Sequence, residues 1–68
     1  MSATATHIDE LTVVQLTHDI GVYPKGAVGT VVAAHPDADA YTVEITDAQG
    51  RTVDLLACSS EDLRLARL

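Results

Sequence analysis

The residues of this chain that could do chemistry are histidines and acids, and they fall in two short stretches. "HPDAD" places His35, Asp37 and Asp39 within five positions. Carboxylates at alternate positions can share a hard cation, and Ca²⁺ takes about six to eight oxygen ligands. A calcium-binding EF-hand loop would add a third acidic ligand, a central Gly and a closing Glu, and none stands in register here. The same residues also suit a polar hairpin tip whose Asp side chains close the turn. "THDIG" places His18 beside Asp19, again with the composition of an exposed loop. Ser59, Ser60, His7 and the many Asp residues supply the raw material of a hydrolytic triad. No nucleophile elbow of the Gly-x-Ser-x-Gly kind accompanies them. Zinc sites need several Cys or His ligands; one Cys and three widely spaced His fall short of that. The expectation is therefore no catalytic residue and no cofactor, with His35, Asp37 and Asp39 as the alternative, a small calcium site.

A further stretch, "YPKGAVGTVV" (residues 23–32), sets Lys25 and two glycines before a β-branched run. Phosphate cradles place their glycines as Gly-x-x-x-x-Gly-Lys-Ser/Thr, or as Gly-x-Gly-x-x-Gly between a strand and a helix. Neither pattern is present. The glycines read instead as architecture. Gly26 is expected at positive φ where the loop after Pro24 enters a strand. Gly29 is expected where a strand coils or another strand crosses its bare Cα.

The elements that hold these residues follow from periodicity. Apolar residues recur every second position, which is the pattern of strands. "LTVVQL" (11–16) is the first, with Val13 and Val14 adjacent and the inward face ambiguous. "AVGTVVAA" (27–34) is the second. "YTVEI" (41–45) alternates, with Tyr41, Val43 and Ile45 on one face and Thr42 and Glu44 on the other. "RTVDLLA" (51–57) alternates too, which predicts Val53, Leu55 and Ala57 inward and Thr52 and Asp54 outward. "DAQG" (47–50) between these last two is predicted to be a type I turn with Gly50 left-handed in a bulge. Ser59 followed by Asp62 has the spacing of an N-cap, so one short helical turn is expected near 59–63. "LRLARL" can then supply a fifth short strand. Five strands and no long helix in so short a chain predict an all-β fold, a small and strongly bent antiparallel barrel.

Length and charge narrow the partners. The chain has 68 residues, enough for one domain, and 47% of them are hydrophobic. With no Trp, no Phe and two Tyr, the core must be aliphatic. Residues 1–8 read as a flexible N-terminal tail and residues 9–68 as the single domain. Ten acidic residues against four basic ones leave a net charge of −6. Binding nucleic acid or anionic membrane takes clustered Lys and Arg, and Lys25, Arg51, Arg64 and Arg67 are scattered. The lone Cys58 allows no internal disulfide, which fits a reducing cytoplasm; as a free Cys it is expected to be buried and inert. No apolar run approaches the ~20 residues that span a bilayer, and the N-terminus lacks the features of a signal peptide.

Several of these segments together resemble a known family. Val13 to Leu16, Gly26 to Val32, Tyr41 to Asp47, Gly50 to Thr52 and Asp62-Leu63 match the pattern of a short bacterial family known as a domain of unknown function (number four-nine-two-six in that series). Ile45 stands where that family often has an aromatic. The Gly-x-x-Gly-x-Val element is also similar to SH3-like barrels, including the translation-associated KOW motif and the β-subunit of nitrile hydratase. The resemblance implies an SH3-like small barrel, a small stand-alone protein and, for some members, toxin-like partners. A fold does not fix a function.

By subtraction, surface is what remains to act. The expectation is a non-enzymatic, acidic, protein-binding module, antitoxin-like or an immunity or accessory protein, whose partner is another protein of basic or toxin-like character. Glu44, Asp54 and Asp47 are the expected partner-binding residues, an open edge strand supplies aliphatic contact, and self-association is a further expectation. The two Tyr are too few to line an aromatic groove for proline-rich peptides.

Overall fold

The computed structural model describes residues 8–66. Five strands, β1 (Val13–Leu16), β2 (Val28–His35), β3 (Ala40–Thr46), β4 (Thr52–Cys58) and β5 (Leu63–Leu65), form one antiparallel sheet. Their order is β4-β3-β2-β1-β5. The helical content of these residues is two single 3-10 turns, Pro36–Ala38 and Ser60–Asp62. The fold class is all-β, as the alternation predicts.

One sheet makes the core. Val14 and Leu16 from β1, Val31 from β2, Tyr41, Val43 and Ile45 from β3, Cys58 from β4 and Leu63 from β5 are buried in a single cluster. Side chains from all five strands can meet only if the sheet curls, which makes the fold barrel-like. Its centre is aliphatic: Val14, Leu16, Val31 and Val43 are the largest fully buried side chains. Ile8, the last residue of the expected tail, is buried in the same cluster. The rest of the expected tail, residues 1–7, lies outside the described residues.

The ambiguous β1 is settled by its partners. Val14 pairs with Gly29 and Leu65, and Leu16 pairs with Leu63, which turns both inward and leaves Val13 outside. Leu11 does not belong to the strand. It is exposed and takes a positive φ of 71°. In β2 the register slips between Val31 and Ala33, so Val32 is an extra, outward residue and Ala34 returns to pack against the core.

The expected facing of β4 is inverted. Val53 and Leu55 are 53% and 57% exposed, and Ala57 is exposed as well. Leu56 and Cys58 turn to the core instead. The reason is pairing: Cys58 lies opposite Tyr41, Leu56 opposite Val43 and Asp54 opposite Ile45, and directly opposed residues share a face. A bulge between Ile45 and Thr46 leaves Val53 unpaired at the start of the strand. Asp54 therefore lies on the core-facing side, at its exposed rim, and Glu44 lies on the outer side.

Glycines at positive φ carry the bends, Gly21 among them at 57°. Gly50 closes the 47–50 turn at φ 82°, with its N–H donating to the Asp47 carbonyl at 2.9 Å. Gly26 also sits at positive φ, 91°. Gly29 works differently, by close approach. A Cβ there would lie 2.5 Å from Val43 Cγ1, 3.0 Å from the Glu44 carbonyl oxygen and 3.1 Å from Ile45 Cδ1.

Two stability outcomes follow from these geometries. Gly29→Val forces β3 off β2 and should cost about 2 kcal/mol or more, as overpacking of a tight core does; thermal unfolding reads it, and an unchanged Tm contradicts the close approach. Gly50→Ala places a Cβ in left-handed backbone and should cost about 1 kcal/mol, read as a lower denaturant midpoint at constant slope.

Candidate functional site

The titratable groups that the fold brings together are not the ones that are neighbours in sequence. Thr17, His18 and Asp19 leave β1 at its C-terminal end, and Leu16 there pairs with Leu63, which directly follows the second 3-10 turn. That pairing sets the 17–19 loop against residues 59–62. The Thr17 N–H donates to the Asp62 carbonyl at 2.9 Å, and the Thr17 hydroxyl donates to the Glu61 carbonyl at 2.7 Å. His18 Nε2 then lies 2.6 Å from Asp62 Oδ1, while its Nδ1 lies 3.0 Å from the Asp19 carbonyl oxygen. Both neighbours are acceptors, and only the imidazolium form donates from both ring nitrogens. The hydrogen bond to Asp62 accordingly raises the His18 pKa above its usual 6.5.

Asp62 is the centre of this clasp. Its Oδ2 accepts the Ser59 N–H at 2.8 Å and the Ser59 hydroxyl at 3.2 Å, so the predicted cap is present. These bonds, that from the Ser59 amide first and that from His18 next, lower the Asp62 pKa below 3.8. The order is hydroxyl, carboxylate, imidazole. A nucleophilic serine needs the imidazole beside its hydroxyl; here the Asp62 carboxylate stands between the Ser59 hydroxyl and the His18 ring. Burial raises the Cys58 thiol pKa, with the Asp62 charge adding to it. A raised pKa keeps the thiol protonated and unreactive.

The "HPDAD" residues are separated by the backbone. His35 ends β2, Asp37 lies in the first 3-10 turn, and Asp39 takes left-handed φ 52° just after it. Asp39 Oδ1 accepts the Ser60 N–H at 3.0 Å, which ties this loop to the second 3-10 turn. Among the described residues, no three His, Cys, Asp or Glu side chains are gathered as a metal-ligating group.

The expected partner-binding acids differ in their commitments. Asp47 is bound inside its own turn. Its Oδ1 accepts the Gln49 and Arg51 amides at 2.8 and 3.0 Å, and its Oδ2 accepts Arg51 Nε at 3.0 Å. These bonds, the Arg51 amide first, lower its pKa. Glu44 accepts the Thr52 hydroxyl across the sheet. Asp54 bridges two groups: its Oδ2 accepts the Tyr23 hydroxyl at 3.0 Å and its Oδ1 the Leu55 N–H at 2.8 Å. Tyr23 is delivered by a small hairpin in which Ile20 and Tyr23 exchange both backbone bonds, at 2.8 and 2.9 Å. Desolvation, then the bond to Asp54, raises the Tyr23 pKa. The one available sequence signal for this hairpin was "IGVY", since a Gly-x pair favours a two-residue turn. The pairings of His18 with Asp62 and of Tyr23 with Asp54 had no sequence signal.

The outer face of the sheet carries exposed aliphatic side chains. Val13, Thr30, Glu44 and Leu55 are cross-strand neighbours in one row over the outer face. Val13 and Leu55 are exposed there, as are Val28 and the bulge residues Val32 and Val53. The fold and this surface define an acidic all-β domain built on one curled sheet, with exposed aliphatic side chains among polar ones on its outer face. The chain belongs to the family described as Domain of unknown function (DUF4926), whose pattern matches residues 10–65. Neither the curated proteins nor the solved structures contain a significant match to it. Among the described residues no helix is long and apolar enough to cross a membrane.

The clasp has a pH window. A raised His18 pKa means its contribution to stability is full below 6.5 and is lost as pH rises through the folded-state value. The lowered Asp62 pKa means its contribution is present above 3.8 and is lost as pH falls through the folded-state value. The difference in Tm between wild type and His18→Gln should therefore be largest between these limits and shrink as pH rises above 6.5 through the folded-state value. A difference that grows with pH contradicts the assigned pair.

Proposed function

We propose that this protein is a non-enzymatic module that acts by binding another protein of basic character, in an antitoxin-like, immunity or accessory role. The observation that carries the reading is the outer face of the sheet, where Val13, Val28, Val32, Val53 and Leu55 are exposed and Glu44 stands among them. Exposed aliphatic side chains in a contiguous area mark contact surfaces. The net charge of −6 favours a cationic partner, because opposite charge speeds encounter and suppresses wrong partners. The toxin-like character of the partner rests on the family resemblance alone. The SH3-like description of the fold fits the strand order and the 3-10 turn before β5, and belongs to this reading. A reducing, cytoplasmic setting fits the single thiol, and a bacterial one rests on the family resemblance alone.

The test is capture of a partner from lysate of the native cells at stepped salt, followed by kinetics with the captured protein. Glu44→Lys combined with Asp54→Lys should slow association about tenfold at low salt, the scale of electrostatic steering, and flatten its salt dependence; because Asp54 also holds Tyr23, Glu44→Lys alone is the control that leaves that bond in place. If no protein is captured and calorimetry instead gives saturable Ca²⁺ heat below millimolar, the His35, Asp37 and Asp39 alternative replaces this reading.

A further inference from the structure

We propose that the outer edge of β4 is the docking strand, and that its occupant is an extended, cationic chain segment that adds to the sheet beside β4. The inference deepens the reading above and rests on it. Among the described residues β4 is the terminal strand of the sheet and pairs with β3 alone. Its seven residues, Thr52–Cys58, make it one of the longer strands, and no Pro or Lys blunts it. The bulge at Val53 and the core-facing Asp54 guard its first half, which leaves Leu55–Cys58 as the stretch of edge open to strand addition.

The edge already shows where an added strand would bond. The Leu55 N–H donates to the carboxylate of its own neighbour, Asp54 Oδ1, at 2.8 Å. Such a local bond is what an edge amide makes when no strand lies beside it. By the alternation of an antiparallel ladder, Ala57 turns its backbone groups the same way. A carbonyl of an incoming strand would take the place of Asp54 Oδ1 on the Leu55 amide and release the carboxylate.

Side-chain chemistry selects the occupant. A strand added to β4 presents alternate side chains to the two faces. On the outer face they meet Val53, Leu55 and Ala57, which are exposed, so aliphatic side chains suit that side. On the other face they meet the rim at Asp54, whose carboxylate is exposed and held by the Tyr23 hydroxyl. A Lys or Arg there replaces the hydrogen bond that Asp54 gives up. A second copy of this chain fits worse. Edge-to-edge pairing of two β4 strands sets Asp54 near its own image and brings together two chains of net charge −6 each. Backbone pairing would supply affinity and the alternating side chains specificity, as in other strand-addition complexes.

The probe is a short capped peptide of alternating Val and Lys, titrated into ¹⁵N-labelled protein. It should shift the Leu55 and Ala57 amides first. Methylating the peptide's backbone nitrogens on one edge should weaken binding about tenfold, the scale of losing one or two hydrogen bonds, and a Val/Glu peptide should not bind. Binding that ignores N-methylation, or shifts confined to Thr30 and Val32, overturns the edge assignment and leaves a cationic partner on another surface. Failure of the peptide while a basic protein is still captured also overturns the edge alone. If neither peptide nor protein binds, the protein-binding reading falls with it.

Discussion

The sheet can curl tightly around its core because residue 29 has no side chain. Gly29 pairs with Val14 on one side, and on the other the Val43 and Ile45 side chains of β3 come within contact of its bare Cα. This approach lets Val14, Val31 and Val43 become fully buried with no large aromatic to fill the space. A short chain buries only about 60% of its unfolded surface, so it has little margin for a poorly filled centre. Once β3 is seated on β2, the facing of β4 follows. Cys58 and Leu56 lie against Tyr41 and Val43, and the aliphatic residues between them are left outside. The open edge and the exposed face are consequences of the same packing.

Local chemistry was legible and long-range pairing was not. The 47–50 turn shows in "DAQG" because Asp47 can accept two amides of its own turn and Gly50 can take positive φ. The Ser59–Asp62 cap shows because its partners are three residues apart. The β3 faces show because Tyr41, Val43 and Ile45 alternate with polar residues. β4 misleads because it is apolar on both sides: Leu55 and Leu56 are adjacent, and a one-residue bulge at Val53 changes which set points inward. A shift of one residue exchanges the two faces of a strand, and only the β3 partner decides between them. Val32 in β2 is hidden by the same kind of bulge.

The polar groups follow the same division. His18 and Asp62 are 44 residues apart, and their meeting depends on β5 pairing with β1. Asp54 and Tyr23 meet because a hairpin inside the 17–27 loop reaches across to the last strand of the sheet. Asp39 looks like half of a cation site in sequence, yet its carboxylate is bonded to the Ser60 amide. In each case an acid that is conspicuous in the sequence serves to fasten a loop. Of the acids singled out for partner contact, Asp47 is bound within its turn, while Glu44 and Asp54 flank the β4 edge on opposite faces.

Among the described residues β4 is an outer strand with an uncovered edge, and Leu56 and Cys58 form its core side. Backbone amide hydrogen exchange of the protein alone tests it most directly, residue by residue along 52–58. The account predicts alternation: the Leu56 and Cys58 amides, bonded to β3, exchange slowly, and those of Leu55 and Ala57 exchange fast. Uniform slow exchange along the strand would mean that its outer row of amides is already covered, and slow exchange at Leu55 and Ala57 with fast exchange at Leu56 and Cys58 would mean that the strand faces the other way. Either result contradicts the account.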